Sequence, residues 1–100
     1  MPSFNAEVPH KLGQEAAVER LKSFIERVQD KFKEQVSEMS GEWVEHTLSF
    51  ALKTFGFKIS GKLVVEDEVA RLDGTLPFAA VAFRGKIQQQ IAQELERVLR

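Results

Sequence analysis

Cysteine is absent from this sequence, and neither sign of charge dominates it. Without cysteine the chain can form no disulfide, no thiolate metal site and no cysteine nucleophile, a composition that fits a reducing compartment. Lysine and arginine number 14 and aspartate and glutamate 15, which gives a formal net charge of -1. No global field therefore attracts nucleic acid or an acidic membrane surface, and we predict no nucleic-acid partner.

Long apolar runs are also lacking. No stretch approaches the roughly 20 apolar residues that a transmembrane helix needs. Residues 1–5 have neither the basic nor the apolar region of a secretory signal. We expect a soluble cytoplasmic protein without a transmembrane segment.

Apolar residues are nonetheless plentiful. Hydrophobic residues make up 43% of the 100 positions, and the chain has 8 phenylalanines. This is enough for one hydrophobic core and lies outside the composition of disordered chains. We expect residues 1–100 to form a single domain.

The first two predicted elements are a short strand and a helix. Residues 4–8 alternate apolar and polar side chains and stop at Pro9, which cannot donate to a strand ladder, so we predict an edge strand. From Gln14 to Phe32, apolar residues recur every three or four positions. This is the helical period and predicts an amphipathic helix.

The middle of the chain changes to the two-residue period of strands. Apolar residues alternate from Val44 to Leu52 and again from Phe57 to Val65, which predicts two half-buried antiparallel strands. Turns are predicted at residues 54–56 and 66–68, before a last strand at residues 69–76. An earlier strand is predicted at residues 35–43, and we interpret Ser40-Gly41 as a bulge inside it rather than as its closing turn.

A second amphipathic helix follows Pro77, which ends the predicted sheet. Its apolar positions recur at helical spacing: Phe83, Ile87, Ile91, Leu95 and Val98. Each helix must bury its apolar stripe, whereas an antiparallel sheet can leave one face in water. We therefore predict an α+β fold of two layers, with an antiparallel sheet, the order strand, helix, four strands, helix, and both helices on one sheet face. The other sheet face would carry a polar set: Lys53, Lys58, Ser60, Lys62, Arg71, Asp73 and Thr75.

Candidate reactive side chains form no arrangement typical of an enzyme. The two histidines lack the spacing of a metal site; His46 beside Glu45 suits an acid–base pair or an exposed turn, and His10 suits a bond to backbone. Residues 66–68 offer too few converging oxygens for a cation, and no nucleophile elbow or phosphate-binding glycine motif is present. We predict no catalytic residue, no cofactor and no metal, and interpret the protein as non-enzymatic. Trp43 is expected to pack in the core or at an edge.

Several short motifs occur in an order that is similar to that of a known family. They are His10-Lys11-Leu12-Gly13-Gln14-Glu15-Ala16, Trp43 ahead of Leu48-Ser49-Phe50, Gly61-Lys62-Leu63-Val64-Val65, and Leu76-Pro77 leading to Phe83-Arg84-Gly85-Lys86-Ile87, Ile91 and Leu95. Over nearly the whole chain they resemble the putative polyhydroxyalkanoic acid system protein family. Its members are small bacterial proteins encoded near polyester storage-granule genes, and the resemblance brings no set of catalytic residues. One departure is Val44-Glu45-His46, where the family tends to turn with a small Gly-Asp-like pair.

The segment Phe78–Phe83, which we call the collar, is apolar on every side. It has more apolar faces than a helix on a sheet can bury, so part of it should be exposed or covered by something else. The cover could be the first helix, with Phe24 and Val28, a second copy in a homodimer, or a granule or lipid surface. We predict an interaction site at Phe78, Val81, Ala82 and Phe83.

Two function classes remain open from the sequence. The resemblance implies an accessory protein of polyhydroxyalkanoate storage, acting through the collar on a second copy, on a granule-associated protein or on the granule surface. The alternative is a small lipophilic ligand-binding protein of the helix-grip type, with Trp43, Phe50, Phe57 and the collar around a cavity of roughly a few hundred cubic ångströms. An enzyme would instead require His46 beside Asp73 or another carboxylate inside a cleft.

Overall fold

Five strands and two α-helices follow one another in the order predicted from the sequence. The structure is a computed structural model that describes residues 2–34, 36–54 and 56–100. Its elements are β1 (Ser3–Pro9), α1 (Gln14–Lys31), β2 (Val36–Val44), β3 (Thr47–Thr54), β4 (Phe57–Val65), β5 (Val69–Thr75), a 3₁₀ helix at the collar (Phe78–Phe83) and α2 (Arg84–Val98).

All strand pairs of the sheet are antiparallel, and the strand order is β1-β5-β4-β3-β2. Strands β2 to β5 form a meander joined by short turns, as the sequence predicted. Strand β1 pairs with β5, from Ser3 opposite Thr75 to Pro9 opposite Val69. The prediction of an edge strand that ends at Pro9 is therefore confirmed.

Strand β2 is the other edge, and the predicted bulge at Ser40-Gly41 is wrong. Ser40 pairs with Ala51 and Gly41 with Phe50 in unbroken register, while the irregularity lies between Val36 and Glu38. The presence of glycine at position 41 has another explanation, which is the close packing of Leu48: a Cβ at Gly41 would lie 2.9 Å from Leu48 Cδ1. Gln35, the predicted first residue of this strand, lies outside the described residues.

The turns between strands are tight. Glu45 and His46 form the two-residue loop of the β2–β3 hairpin, and Glu45 takes a φ of 55°. The strand whose apolar–polar alternation was predicted to start at Val44 therefore starts at Thr47. Positive φ is uncommon outside glycine and suits hairpin turns. Gly56 has the predicted positive φ, 80°, and Phe55 lies outside the described residues.

One face of the sheet forms the core with both helices, as predicted. Within each strand the buried side chains are either all odd-numbered or all even-numbered, so they share one face of the sheet. They are Phe4, Val8, Leu48, Phe50, Ile59, Leu63, Val65, Ala70 and Leu72. The helices bury their apolar stripes on it, chiefly Ala17, Leu21, Ile87 and Leu95. On the other face Lys58, Lys62 and Asp73 are exposed, which confirms the predicted polar surface.

Contacts from the β4–β5 turn fix the start of α1. Gly13 precedes the helix with a φ of 84° and provides no side-chain cap. Asp67 Oδ1 instead accepts the backbone N–H of Gln14 at 3.1 Å, and the Gln14 side-chain amide donates to the carbonyl of Val65 at 2.8 Å. Helix α1 contacts β2 and β4, whereas α2 contacts β1, so the two helices cover opposite halves of the sheet.

Candidate functional site

The collar presents apolar side chains to solvent. Phe78 is 76% exposed, Val81 44% and Phe83 42%. Ala82 is exposed as well, so all four predicted interaction residues lie at the surface. The expectation that part of the collar stays uncovered is met.

Local sequence explains why the collar projects. Pro77 is extended, and its carbonyl accepts the N–H of Ala80 at 2.9 Å, which begins a 3₁₀ turn. Ala80 is completely buried and anchors this turn, while the ring of Phe83 packs against Phe57 with centroids 5.8 Å apart. A six-residue 3₁₀ helix cannot bury all its side chains on one support, since side chains three apart share a face. Phe78 and Val81 therefore point away from the core.

A second apolar feature is a groove between α1, α2 and the β2–β3 half of the sheet. Its lining includes Phe24, Val28, Phe50, Leu52, Ile91 and Glu94. The first helix, with Phe24 and Val28, was one of three possible covers for the collar. Both residues line this groove instead, and α1 leaves Phe78 and Val81 exposed.

The groove does not meet the requirements of the helix-grip alternative. It has a volume of about 130 Å³, below the few hundred cubic ångströms that the alternative required. Trp43, Phe57 and the collar are also missing from its lining. Trp43 is a half-buried packing residue at the sheet edge, with Lys22 Nζ 5.9 Å from its ring centre.

The groove contains one polar feature that sequence reasoning missed. Glu94 Oε2 is buried and has no hydrogen-bond partner among the residues described. Lys31 Nζ lies 4.0 Å from this oxygen, and an Arg97 nitrogen lies 3.4 Å from the other carboxylate oxygen. The available signal was position, because Glu94 stands three residues after Ile91 and directly before Leu95, beside the apolar stripe of α2.

The histidines have separate structural contacts. His46 Nε2 lies 2.8 Å from Glu15 Oε1, and that glutamate side chain is 86% exposed, so the pair lies at the surface rather than in a cleft. His10 is buried: Nε2–H donates to the Glu66 carbonyl at 2.9 Å, and Nδ1 accepts the N–H of Leu12 at 3.2 Å. These contacts confirm the expected bond of His10 to backbone.

A comparison of the sequence with protein-family models finds one match. The model described as putative polyhydroxyalkanoic acid system protein matches residues 5–99. The chain belongs to this family. The match includes the motifs at residues 10–16, 61–65 and 83–87, and it confirms the resemblance seen in the sequence. Among curated proteins, none matches the chain.

The description of the family refers to a cellular system and states no biochemical activity. Within the described residues, no group of three histidine, aspartate or glutamate side chains is placed to hold a metal ion. Neither α1 nor α2 has the length and apolar content needed to cross a bilayer.

Proposed function

We propose that this protein is a non-enzymatic accessory protein of polyhydroxyalkanoate storage that binds the apolar granule surface through its collar. The observation that supports the proposal is the exposure of Phe78, Val81 and Phe83 on one short turn. Exposed apolar patches on small proteins commonly mark interaction sites. The family match supports the choice of the storage system, and the exposed collar supports the choice of the binding surface.

The size of the collar favours a granule surface over a second copy. The exposed parts of its side chains offer about 300 Å² of apolar area, well below the ~800 Å² per partner of a standard protein interface. A fluid apolar surface needs no complementary shape and can accept a projecting phenylalanine. Because glutamine dominates the polar face of α2, at positions 88, 89, 90 and 93, binding is expected to be hydrophobic and insensitive to salt.

Co-sedimentation with polyhydroxyalkanoate particles tests this proposal. Phe78 has 76% of its surface left to bury, so Phe78→Ser should weaken binding by about 2 kcal/mol, or roughly thirtyfold. Val81→Asp should weaken it at least as much, because a carboxylate would have to leave water.

Val44→Asp provides the matched control. Val44 is an exposed valine (63%) at the end of β2, outside the collar. The control therefore makes the same change of valine to aspartate at the surface without altering the collar. Equal binding by the Val81→Asp and Val44→Asp proteins, both shown to be folded by circular dichroism, would refute the role of the collar. A wild-type dimer in light scattering that Val81→Asp converts to monomers would refute the granule-surface proposal in favour of self-association.

A further inference from the structure

The lining of the groove between the helices and the sheet suits a hydrocarbon group. Apolar atoms form nearly all of the surface that the groove exposes. Glu94 belongs to the lining, but its buried Oε2 atom is turned to Lys31, 4.0 Å away, and its other oxygen lies 3.4 Å from an Arg97 nitrogen. A polar group inside the groove would lose its hydrogen bonds to water and gain none in return, so the occupant carries no polar atom there.

The volume of the groove sets the length of this group. It is about 130 Å³. An apolar cavity of about 150 Å³ stays dry and accommodates one benzene ring, so the groove suits an alkyl chain of about five or six carbons. Leu52 and Ile91 belong to the lining and are only half-buried, so a chain from outside reaches the groove along them.

The collar and the groove are neighbours in the fold. Phe83 of the collar packs against Phe57 with ring centres 5.8 Å apart, and Phe57 is paired with Thr54, which lines the groove. On the side of α2, Ile87 lines the groove one helical turn after Phe83. The groove is therefore within reach of an apolar surface that the collar contacts.

We propose that the groove binds one alkyl side chain of the storage polymer while the collar rests on the granule surface. This inference rests on the proposed function and names the class of polymer that the protein recognises, a polyhydroxyalkanoate whose side chains have about five carbons. The collar alone offers the surface a small apolar area, whereas a side chain inside the groove gains contacts from both helices and the sheet. Unlike a helix-grip pocket, the groove holds one short chain and not a whole lipophilic molecule.

A series of soluble probes tests the groove without a granule. Butyl, hexyl and octyl glucoside share one uncharged head group and differ in chain length, and methyl glucoside is the matched control without a chain. In titrations of the ¹⁵N-labelled full chain, below the micelle concentrations, hexyl glucoside should give saturable NMR shifts around Leu52 and Ile91, with a dissociation constant on the order of 1 mM. Methyl glucoside should give none.

Chain length provides the signature of a site of limited size. From butyl to hexyl glucoside, each added methylene should strengthen binding about fourfold, because it is removed from water. Octyl glucoside should bind no more than about twofold more tightly than hexyl glucoside, because its last two carbons exceed the volume of the groove.

Three variants localise the effect, each shown to be folded by circular dichroism. Ile91→Phe should fill the groove and abolish the binding of hexyl glucoside. Val44→Phe makes a similar enlargement at an exposed valine outside the groove and the collar, and it should leave the affinity unchanged. Phe78→Ser should also leave it unchanged, because Phe78 does not line the groove.

Particles of two polymers connect the groove with the granule. Wild-type protein should co-sediment with particles of a polyhydroxyalkanoate with pentyl side chains about tenfold more tightly than with particles of one with methyl side chains. Ile91→Phe should lose this preference and keep the binding that the collar provides.

The failure of this inference is distinguishable from the failure of the proposed function. Equal binding of wild-type protein to both polymers, absence of saturable shifts with hexyl glucoside, or shifts confined to the collar would overturn the inference and leave the collar in its role. Binding to neither polymer would refute the proposed function and, with it, the polymer as the source of the chain. These comparisons need only the wild-type protein, so they remain decisive where a substitution prevents folding.

Discussion

Replacing Gly61 with alanine should strongly destabilise the fold. Gly61 on β4 pairs with Gly74 on β5. A Cβ at Gly61 would contact the backbone oxygen of Asp73 and lie 2.7 Å from Gly74 Cα. Both neighbours are backbone atoms, so no side chain can rotate away and the two strands must separate.

The expected magnitude follows from this geometry. Overpacking usually lowers stability by 1–3 kcal/mol, and a clash with backbone belongs at the upper end, so we expect a loss of about 3 kcal/mol. For a domain of this size, that corresponds to a fall in Tm of roughly 15 °C.

Gly85→Ala is the control with the opposite expected sign. Gly85 lies in the first turn of α2, and a Cβ there would have no atom within 4 Å. Alanine is the better helix former, so this variant should gain about 0.5 kcal/mol. Urea unfolding followed by circular dichroism measures both, and a Gly61→Ala protein within about 1 kcal/mol of wild type would refute the close-approach argument.

Two further substitutions probe contacts that hold α1 against the sheet. His10→Ala should lower the free energy of unfolding by about 2 kcal/mol, because it leaves the carbonyl of Glu66 and the N–H of Leu12 without their buried partner; thermal unfolding measures this, and a loss under ~0.5 kcal/mol would contradict it. Asp67→Ala should lose about 1 kcal/mol through the missing acceptor for the first N–H of α1. Glu68→Ala in the same turn is its control, and equal urea midpoints for the two variants would contradict the capping role.

Local patterns account for most of what could be predicted of the fold. The period of two over Phe57–Val65 and the helical period over Gln14–Phe32 reflect burial of one face, which each segment records in its own residues. The pairing of β1 with β5 depends on contacts between distant segments and left no such record. The error at Ser40-Gly41 arose because Gly41 was interpreted as an irregularity, whereas it makes room for Leu48.

The candidate site divides in the same way. Exposure of the collar could be predicted because its apolar side chains exceed what one support can cover. The groove could not, because Glu94 lies only beside the apolar stripe of α2 and becomes buried where α1 packs alongside, with Phe24 in the same lining. That proximity is a property of the packed helices and not of either sequence segment.

The pairing of β1 with β5 also sets an order of events in folding. The two strands are separated in the chain by α1 and the meander strands β2, β3 and β4. At synthesis rates of about 5–20 residues per second, β1 waits for seconds before β5 exists, and Phe4 and Val8 lack their final cover during that time. Contacts between distant segments form slowly, so the meander should fold ahead of this pair. Since α2 rests on β1, the collar that precedes α2 should gain its fixed orientation only after the first strand has joined the sheet.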